Sequence, residues 1–382
     1  MFLNNIDFLL FYLYNKLTKR EEQMRIIHVA DVHLDAPFSQ LSRKKELGEK
    51  RRLEQRKALR KMIEYIKQEK IPYLLIAGDL YEHEYVREST IYYINSLFQE
   101  IPDTKIYIAP GNHDPYCKDS YYATYEWSKN VTIFTSEKIE KIQEENINIY
   151  GCGFTSFYLQ NSQIGNITLD EKEKINILLT HADLDASNIG EEVYQPITKK
   201  TIEKIGFDYV ALGHIHKNNV QENTNIVYPG SAISLGFDEL GQHGMVEIQI
   251  EKGNMQKKFI PLDDIELIKK EVSLQDIQSL EELVEKIEEI HIPANQYVEI
   301  ILVGARNIEI NLYKLEKLIQ KENVIKIKDM TKIEYPLEQM QNETTLKGIF
   351  IKQMLKKKNE AKTEEEKQMI EKAIEVGLEV LK

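Results

Sequence analysis

Met24-Arg-Ile-Ile-His-Val-Ala-Asp31-Val-His33-Leu-Asp35 reads as a short buried strand that ends on two metal-ligand residues. The run Ile26–Ala30 is almost wholly aliphatic, as a strand covered on both faces requires. Asp31 and His33, two residues apart, fall on one side of an extended chain and can reach one ion. Four further clusters repeat the pattern: Gly78-Asp79 after Tyr73–Ala77, Gly111-Asn112-His113-Asp114 after Ile106–Ala109, Thr180-His181 after Ile175–Leu179, and Gly213-His214-Ile215-His216 after Tyr209–Leu212. Each places its ligands at the carboxyl end of a strand, where open α/β sheets bind theirs. A lone Asp-x-His or Gly-Asp carries little, because such residues also cap helices or sit satisfied in cores. Five clusters in order define a site.

Outward from these strands, residues 24–265 alternate apolar runs with amphipathic helices such as Lys50–Gln68 and Thr90–Gln99, the α/β signature. Added strands at Val131–Phe134, Ile147–Tyr150, Ile226–Tyr228 and Met245–Ile250 predict two stacked sheets, a β-sandwich flanked by helices. Residues 266–336 read as a small α+β capping domain with helices Ser279–Glu289 and Asn311–Lys321 and strands Tyr297–Leu302 and Val324–Asp329. Residues 337–382 carry a helix pair, Leu346–Lys358 and Thr363–Leu381, whose apolar positions recur every three or four residues. The pair either docks a partner or packs back on the chain's own core. The segment 1–23 reads as a disordered extension or an upstream start chosen in error. Its apolar run Ile6–Tyr14 is too short to span a bilayer and lacks the flanks of an export signal, which leaves a membrane-surface helix as the functional alternative.

A chain of 382 residues exceeds one hydrophobic core, so two or three folding units are expected. Two cysteines are too few for a disulfide framework and point to a reducing, cytoplasmic setting. The formal charge of −12 argues against nucleic acid as a partner unless basic residues cluster locally. Such a cluster runs from Arg43 to Lys61 and includes Arg51, Arg52 and Arg56, candidate DNA contacts. A solvated helix face with internal ion pairs explains the same stretch equally well. Tyr121, Tyr122, Tyr125 and Trp127 can stack on bases, although helix packing is the plainer reading. No G-x-x-x-x-G-K-[ST] occurs, so any dependence on ATP belongs to another subunit.

Asp, His and Asn without Cys form a hard to borderline ligand set suited to Mn²⁺, Fe²⁺ or Mg²⁺, with manganese first. Two ions about 3.5–4 Å apart need a bridging carboxylate, and Asp79 stands alone at its strand end. An even division gives one ion Asp31, His33, Asp79 and His216 and the other Asp79, Asn112, His181 and His214. His113, left over, serves as acid to a leaving oxygen or donor to developing charge, with Asp114 holding its tautomer. His28, His243 and His291 read as structural or exposed, His83 as a residue able to reach the rim, and Cys117 as a candidate oxidation-sensitive thiol.

The five clusters resemble the calcineurin-like metallophosphoesterase superfamily. The opening stretch with Gly111-Asn-His-Asp-Pro115 is similar to DNA repair exonucleases of the SbcD type, and Ala77-Gly-Asp-Leu-Tyr-Glu82 with Tyr228-Pro-Gly-Ser-Ala232 to their YhaO branch. The resemblance implies a two-Mn²⁺ nuclease that works with an SMC-like coiled-coil ATPase docked on the C-terminal helices, and a possible homodimer. The family's ion ligands fall on Asp31, His33, Asp79, Asn112, His181, His214 and His216, and its catalytic histidine on His113. Some relatives carry His or Asp three residues after the bridging Asp, where this chain has Glu82, which leaves strand and end preference open. A small-molecule phosphodiesterase or phosphatase would use the same ligands, but has little need of the second domain. A scaffold with a decayed site would lack a ligand, and none is missing.

Overall fold

The computed structural model describes residues 23–38, 45–185 and 194–381. The expectations for residues 1–22, and for Arg43 and Lys44, lie outside these. Two compact units emerge, one reaching Ile268 and including Pro293–Tyr297, the other formed by Lys269–Ile292 and Val298–Lys382.

In the first unit the apolar runs become β1 (Met24–Val29), β2 (Tyr73–Ile76), β3 (Lys105–Ile108), β4 (Val131–Ile133), β5 (Glu140–Gln143), β6 (Ile147–Gly151), β7 (Ile175–His181), β8 (Tyr209–Gly213), β9 (Ile226–Val227), β10 (Gly244–Glu251) and β11 (Asn254–Pro261). Two sheets form, with strand orders β11-β10-β1-β2-β3-β4 and β5-β6-β7-β8-β9. Strands β1 to β4 are parallel neighbours, as are β6 to β9. The hairpin β10-β11 lies antiparallel against β1.

Period-two burial explains the stacking. Ile26, Leu75 and Tyr107 from the first sheet meet Ile149, Ile177, Leu179 and Ala211 from the second in one core. The intervening Leu178, Val210 and Leu212 face the other way, against Ile202 and Phe207. His28, read from sequence as structural, is wholly buried in this sandwich, and its Nδ1 lies 2.8 Å from the Tyr209 hydroxyl of the opposite sheet. Burial pulls its pKa down to about 3, so it stays neutral. Outside the first sheet run α1 (Lys45–Glu69) and α2 (Glu88–Gln99), which bury Leu59, Met62, Ile63 and Ile66, and Ile91, Ile94 and Phe98. The α/β sandwich flanked by helices is therefore the observed fold. Two short helices follow, α3 (Tyr121–Thr124) and α4 (Lys199–Ile205), the latter capped by the Thr198 side chain.

The chain continues with β12 (Glu266–Ser273), α5 (Leu280–Glu289), β13 (Gln296–Val303), β14 (Ala305–Arg306), α6 (Leu312–Leu318), β15 (Val324–Asp329) and β16 (Lys332–Ile333), which fall in the second unit apart from the first residues of β12 and β13. The main sheet here has the order β12-β13-β15. Three helices end the chain: α7 (Leu337–Met340), α8 (Leu346–Glu360) and α9 (Glu364–Val380). Thr363 and Glu366 close a reciprocal capping box at the start of α9. Ile351, Ile374 and Leu378 form a small core with Tyr335, Leu337, Phe350, Met354 and Ile370. Among the described residues no helix is long and apolar enough to cross a membrane.

Candidate metal centre

Parallel pairing aligns the strand ends that carry the ligands. Ile76 pairs with both Val29 and Ile108, so the turns after β1, β2 and β3 lie side by side. In the second sheet His181 pairs with Gly213, which brings the turns after β7 and β8 together. Backbone bonds lock the loops, His33 N to Asp79 O at 2.9 Å and Asp31 N to Gly78 O at 3.1 Å. Close approach of the sheets demands glycine. A Cβ on Gly213 would collide with the Ala77 carbonyl, and one on Gly78, at φ +87°, with the His181 ring. Four of the expected ligands occupy left-handed backbone: Asp31 (φ 50°), His33 (φ 49°), Asp79 (φ 54°) and His214 (φ 104°). Such strain persists where surrounding structure enforces it, most often at functional sites.

The hydrogen bonds fix the imidazole tautomers. His33 Nδ1 faces Glu82 Oε1 at 2.8 Å, His216 Nδ1 faces Glu239 Oε1 at 2.6 Å, and His181 Nδ1 faces the Ala77 carbonyl at 2.9 Å. Carboxylates and carbonyls accept, so each Nδ1 donates, and a ring without a proton on Nε2 presents that lone pair inward. His33 Nε2 and His216 Nε2 point at one another across 3.1 Å. Asp79 Oδ2 lies 3.6 Å from His33 Nε2 and 3.4 Å from His181 Nε2, while Asp31 Oδ1 lies 3.8 Å from His216 Nε2. Asn112 Oδ1 reaches His181 Nε2 at 2.9 Å, and the His214 ring sits 5.2 Å from that of His181. The seven expected ligands thus converge, with Asp31, His33 and His216 on one side and Asp31, Asp79 and His181 on the other as compact ligand groups. Inward lone pairs on rings oriented by carboxylates fit divalent cations, since this is how metal-bound histidines are held.

Burial opposes charge on His216, yet the Glu239 hydrogen bond and the Asp31 carboxylate raise its pKa to about 9. Burial and the neighbouring His181 lower His214 to about 4. The Asp31 carboxylate also accepts the His214 backbone N–H, which ties β1 to the turn after β8.

The role expected of Asp114 is corrected. Its carboxylate accepts from the backbone N–H groups of Asp79, Leu80 and Gly111 and from the Tyr122 hydroxyl, all within 3.0 Å. It therefore staples two ligand loops together and does not orient His113. Glu82 does that: its Oε2 lies 2.9 Å from His113 Nδ1 while Oε1 holds His33. Burial would raise the Glu82 pKa, but the two imidazoles hold it down to about 2. Burial likewise disfavours charge on His113, but the bond to Glu82 and the Asp79 charge raise it to about 9. The His113 side chain is 46% exposed, open to a substrate. Sequence reading gave Glu82 and Glu239 no role. Glu82 had a faint signal in its place after Gly78-Asp79, whereas Glu239 had none.

Arg51 is likewise corrected as a DNA contact. It is fully buried on α1, with two bonds to Asp263 (2.8 and 3.2 Å), one to Glu54 and one to the Ser234 carbonyl. Arg52 is half-buried, and Arg56 bonds Thr90 Oγ1 at 2.8 Å and approaches Asp35 at 3.5 Å. Arg60 and Lys61 pair with Glu100 and Asp264. Much of the basic stretch is thus neutralised within the unit. Trp127 packs among Phe98, Tyr122 and Tyr125, the packing role weighed against base stacking. His243 bonds Ser231 and the Glu239 carbonyl as a structural residue, and His291 lies exposed in the second unit.

Residues 24–218 match the calcineurin-like phosphoesterase family, and the chain belongs to that family of phosphoester hydrolases that use divalent metals. It is 28% identical over 276 residues to the uncharacterized metallophosphoesterase YhaO of Bacillus subtilis, spanning 70% of this chain and 67% of that protein. It is also 28% identical over 277 residues to the SbcD chain of the nuclease SbcCD of Staphylococcus epidermidis, spanning 63% of this chain and 70% of that one. Among solved structures, TT1561 of Thermus thermophilus aligns over 62% of this chain and 99% of its own, at 11% identity and a TM-score of 0.35.

Proposed function

We propose that the chain is a metal-dependent DNA nuclease, the hydrolytic subunit of an SbcCD-like repair complex in the cytoplasm. The position of Asp79 carries this reading: one carboxylate oxygen faces His33 from the first sheet and His181 from the second. Asp31, His33, Asp79 and His216 would hold one ion, and Asp79, Asn112, His181 and His214 the other, with manganese favoured by the donor set. Bound there, two divalent ions supply Lewis acidity, acidifying the attacking water and offsetting charge on the phosphoryl oxygens. As water adds to phosphorus and the bond to the leaving oxygen breaks, His113 delivers a proton from Nε2 to that oxygen. Glu82, bonded at Nδ1, keeps the ring aimed and favours its charged form. The left-handed turns hold the ligands in place before substrate arrives.

An aromatic ledge supports a polynucleotide substrate. Tyr158, 52% exposed, stacks on Tyr194 with centroids 5.9 Å apart, and Tyr194 lies 4.8 Å from the His214 ring. Bases stack on such surfaces without regard to sequence. The coiled-coil ATPase is assigned to the terminal helices, where Leu346, Ile349, Met369, Val376 and Val380 stay exposed although their neighbours pack between α8 and α9. Deletion of residues 337–382 should end copurification with such an ATPase and leave metal content intact, and unchanged copurification removes the docking role.

The direct test incubates the protein with Mn²⁺ and end-labelled linear duplex DNA, beside a cyclic nucleotide and a phosphomonoester, with Asp79→Ala as control. Metal-dependent shortening of DNA that the variant lacks is the expected result. Hydrolysis of the small substrates alone overturns the nuclease assignment and moves the chain to a small-molecule phosphodiesterase or phosphatase.

A further inference from the structure

Beside the main centre the loops after β2 and β3 bring together a second kind of donor set. His83, Cys117 and Asp119 each offer a ligand atom within 4.8 Å of the others, and Cys117 Sγ lies 3.2 Å from Asp119 Oδ1. His83 Nδ1 is enclosed and has no hydrogen-bond partner among the described residues, an expensive state for a ring nitrogen that a metal would relieve. The His83 ring rests edge-on against Phe157, which limits its rotation.

We propose that His83, Cys117 and Asp119 form a third metal site, selective for zinc and separate from the two-ion centre. The chemistry separates the two sites. The main centre contains imidazole, carboxylate and amide donors, which suit manganese, whereas a thiolate beside imidazole and carboxylate selects zinc. Three protein donors leave a fourth tetrahedral position for water. On binding, the Cys117 S–H bond breaks, its proton leaves to solvent and a sulfur–zinc bond forms. The site touches the catalytic loop, because His83 N donates to the His113 carbonyl at 2.9 Å. Zinc at His83 therefore bears on the segment that carries His113 and Glu82.

The test uses the metal-free full chain titrated with Co²⁺, which reports thiolate ligation as an intense near-ultraviolet charge-transfer band. The main centre has no thiolate and is silent in that band. The expected band forms in the wild type and in Asp79→Ala, vanishes in Cys117→Ser, weakens in His83→Gln and Asp119→Asn, and is bleached by one equivalent of Zn²⁺ but not by Mn²⁺. Absence of the band in the wild type overturns the site. So does a band that survives Cys117→Ser, which would assign it to Cys152, or one unchanged in both His83→Gln and Asp119→Asn, which would mark a lone thiolate.

Discussion

His33 and His216 face each other through Nε2 atoms 3.1 Å apart, and each ring is held from behind by a glutamate, Glu82 for His33 and Glu239 for His216. When both rings are neutral and both Nδ1 atoms donate, neither facing nitrogen carries a proton, and the contact is unfavourable until a proton or a metal cation enters between them. Glu239 is itself anchored by the Leu235 N–H and the Ser231 hydroxyl.

Glu239→Gln should therefore weaken metal binding by about 10–100-fold, the usual cost of losing the group that orients a histidine ligand. Calorimetric Mn²⁺ titration checks this. An affinity equal to wild type would show that the Glu239–His216 bond is dispensable.

His113 lies outside the proposed ligand set, so His113→Gln should lower kcat by about 10²–10⁴-fold while metal stoichiometry stays unchanged. Glu82→Gln should cost in both respects, since its carboxylate serves His113 and His33 together. Parallel metal analysis and turnover measurements separate the two variants.

Arg51→Ala leaves Asp263 and Glu54 without their buried partner and should destabilise the fold by about 3–5 kcal/mol. Arg52→Ala should stay within about 0.5 kcal/mol. Urea denaturation of both reads the contrast, and equal midpoints would contradict a structural role for Arg51.

Glu247 on β10 supplies a pH dependence. Burial would raise its pKa, but hydrogen bonds from Tyr65 and from Arg25 Nε at 2.7 Å outweigh it and hold the carboxyl below its ordinary value. A folded pKa below the unfolded one stabilises the protein above the unfolded value, and that contribution is lost as pH falls through the folded pKa. Glu247→Gln should thus be less stable than wild type at neutral pH, with the gap closing in acid. Denaturation midpoints across that range check the sign.

How much of this was legible from residues alone divides along the range of the interactions. The runs ending at Ala30, Ala77, Ala109, Leu179 and Leu212 revealed the strands and the ligands that follow them, because periodicity and residue type act locally. The two-sheet architecture and the convergence of seven candidate donors with His113 beside them were readable in this way. The pairing of β10 with β1, between segments far apart in sequence, was not. Nor was the choice of buried face on helix α1, whose basic residues look alike in one dimension, while its packing buries Arg51 on Asp263 and leaves Lys57 in solvent. Sequence by itself determined which candidate donors are present and at which strand ends. Tertiary structure decided which carboxylate serves which imidazole: Asp114 staples loops, Glu82 and Glu239 orient rings, and His83 meets Cys117. Hydrogen bonds act over about 3 Å, so these roles exist only once the chain has brought distant residues together.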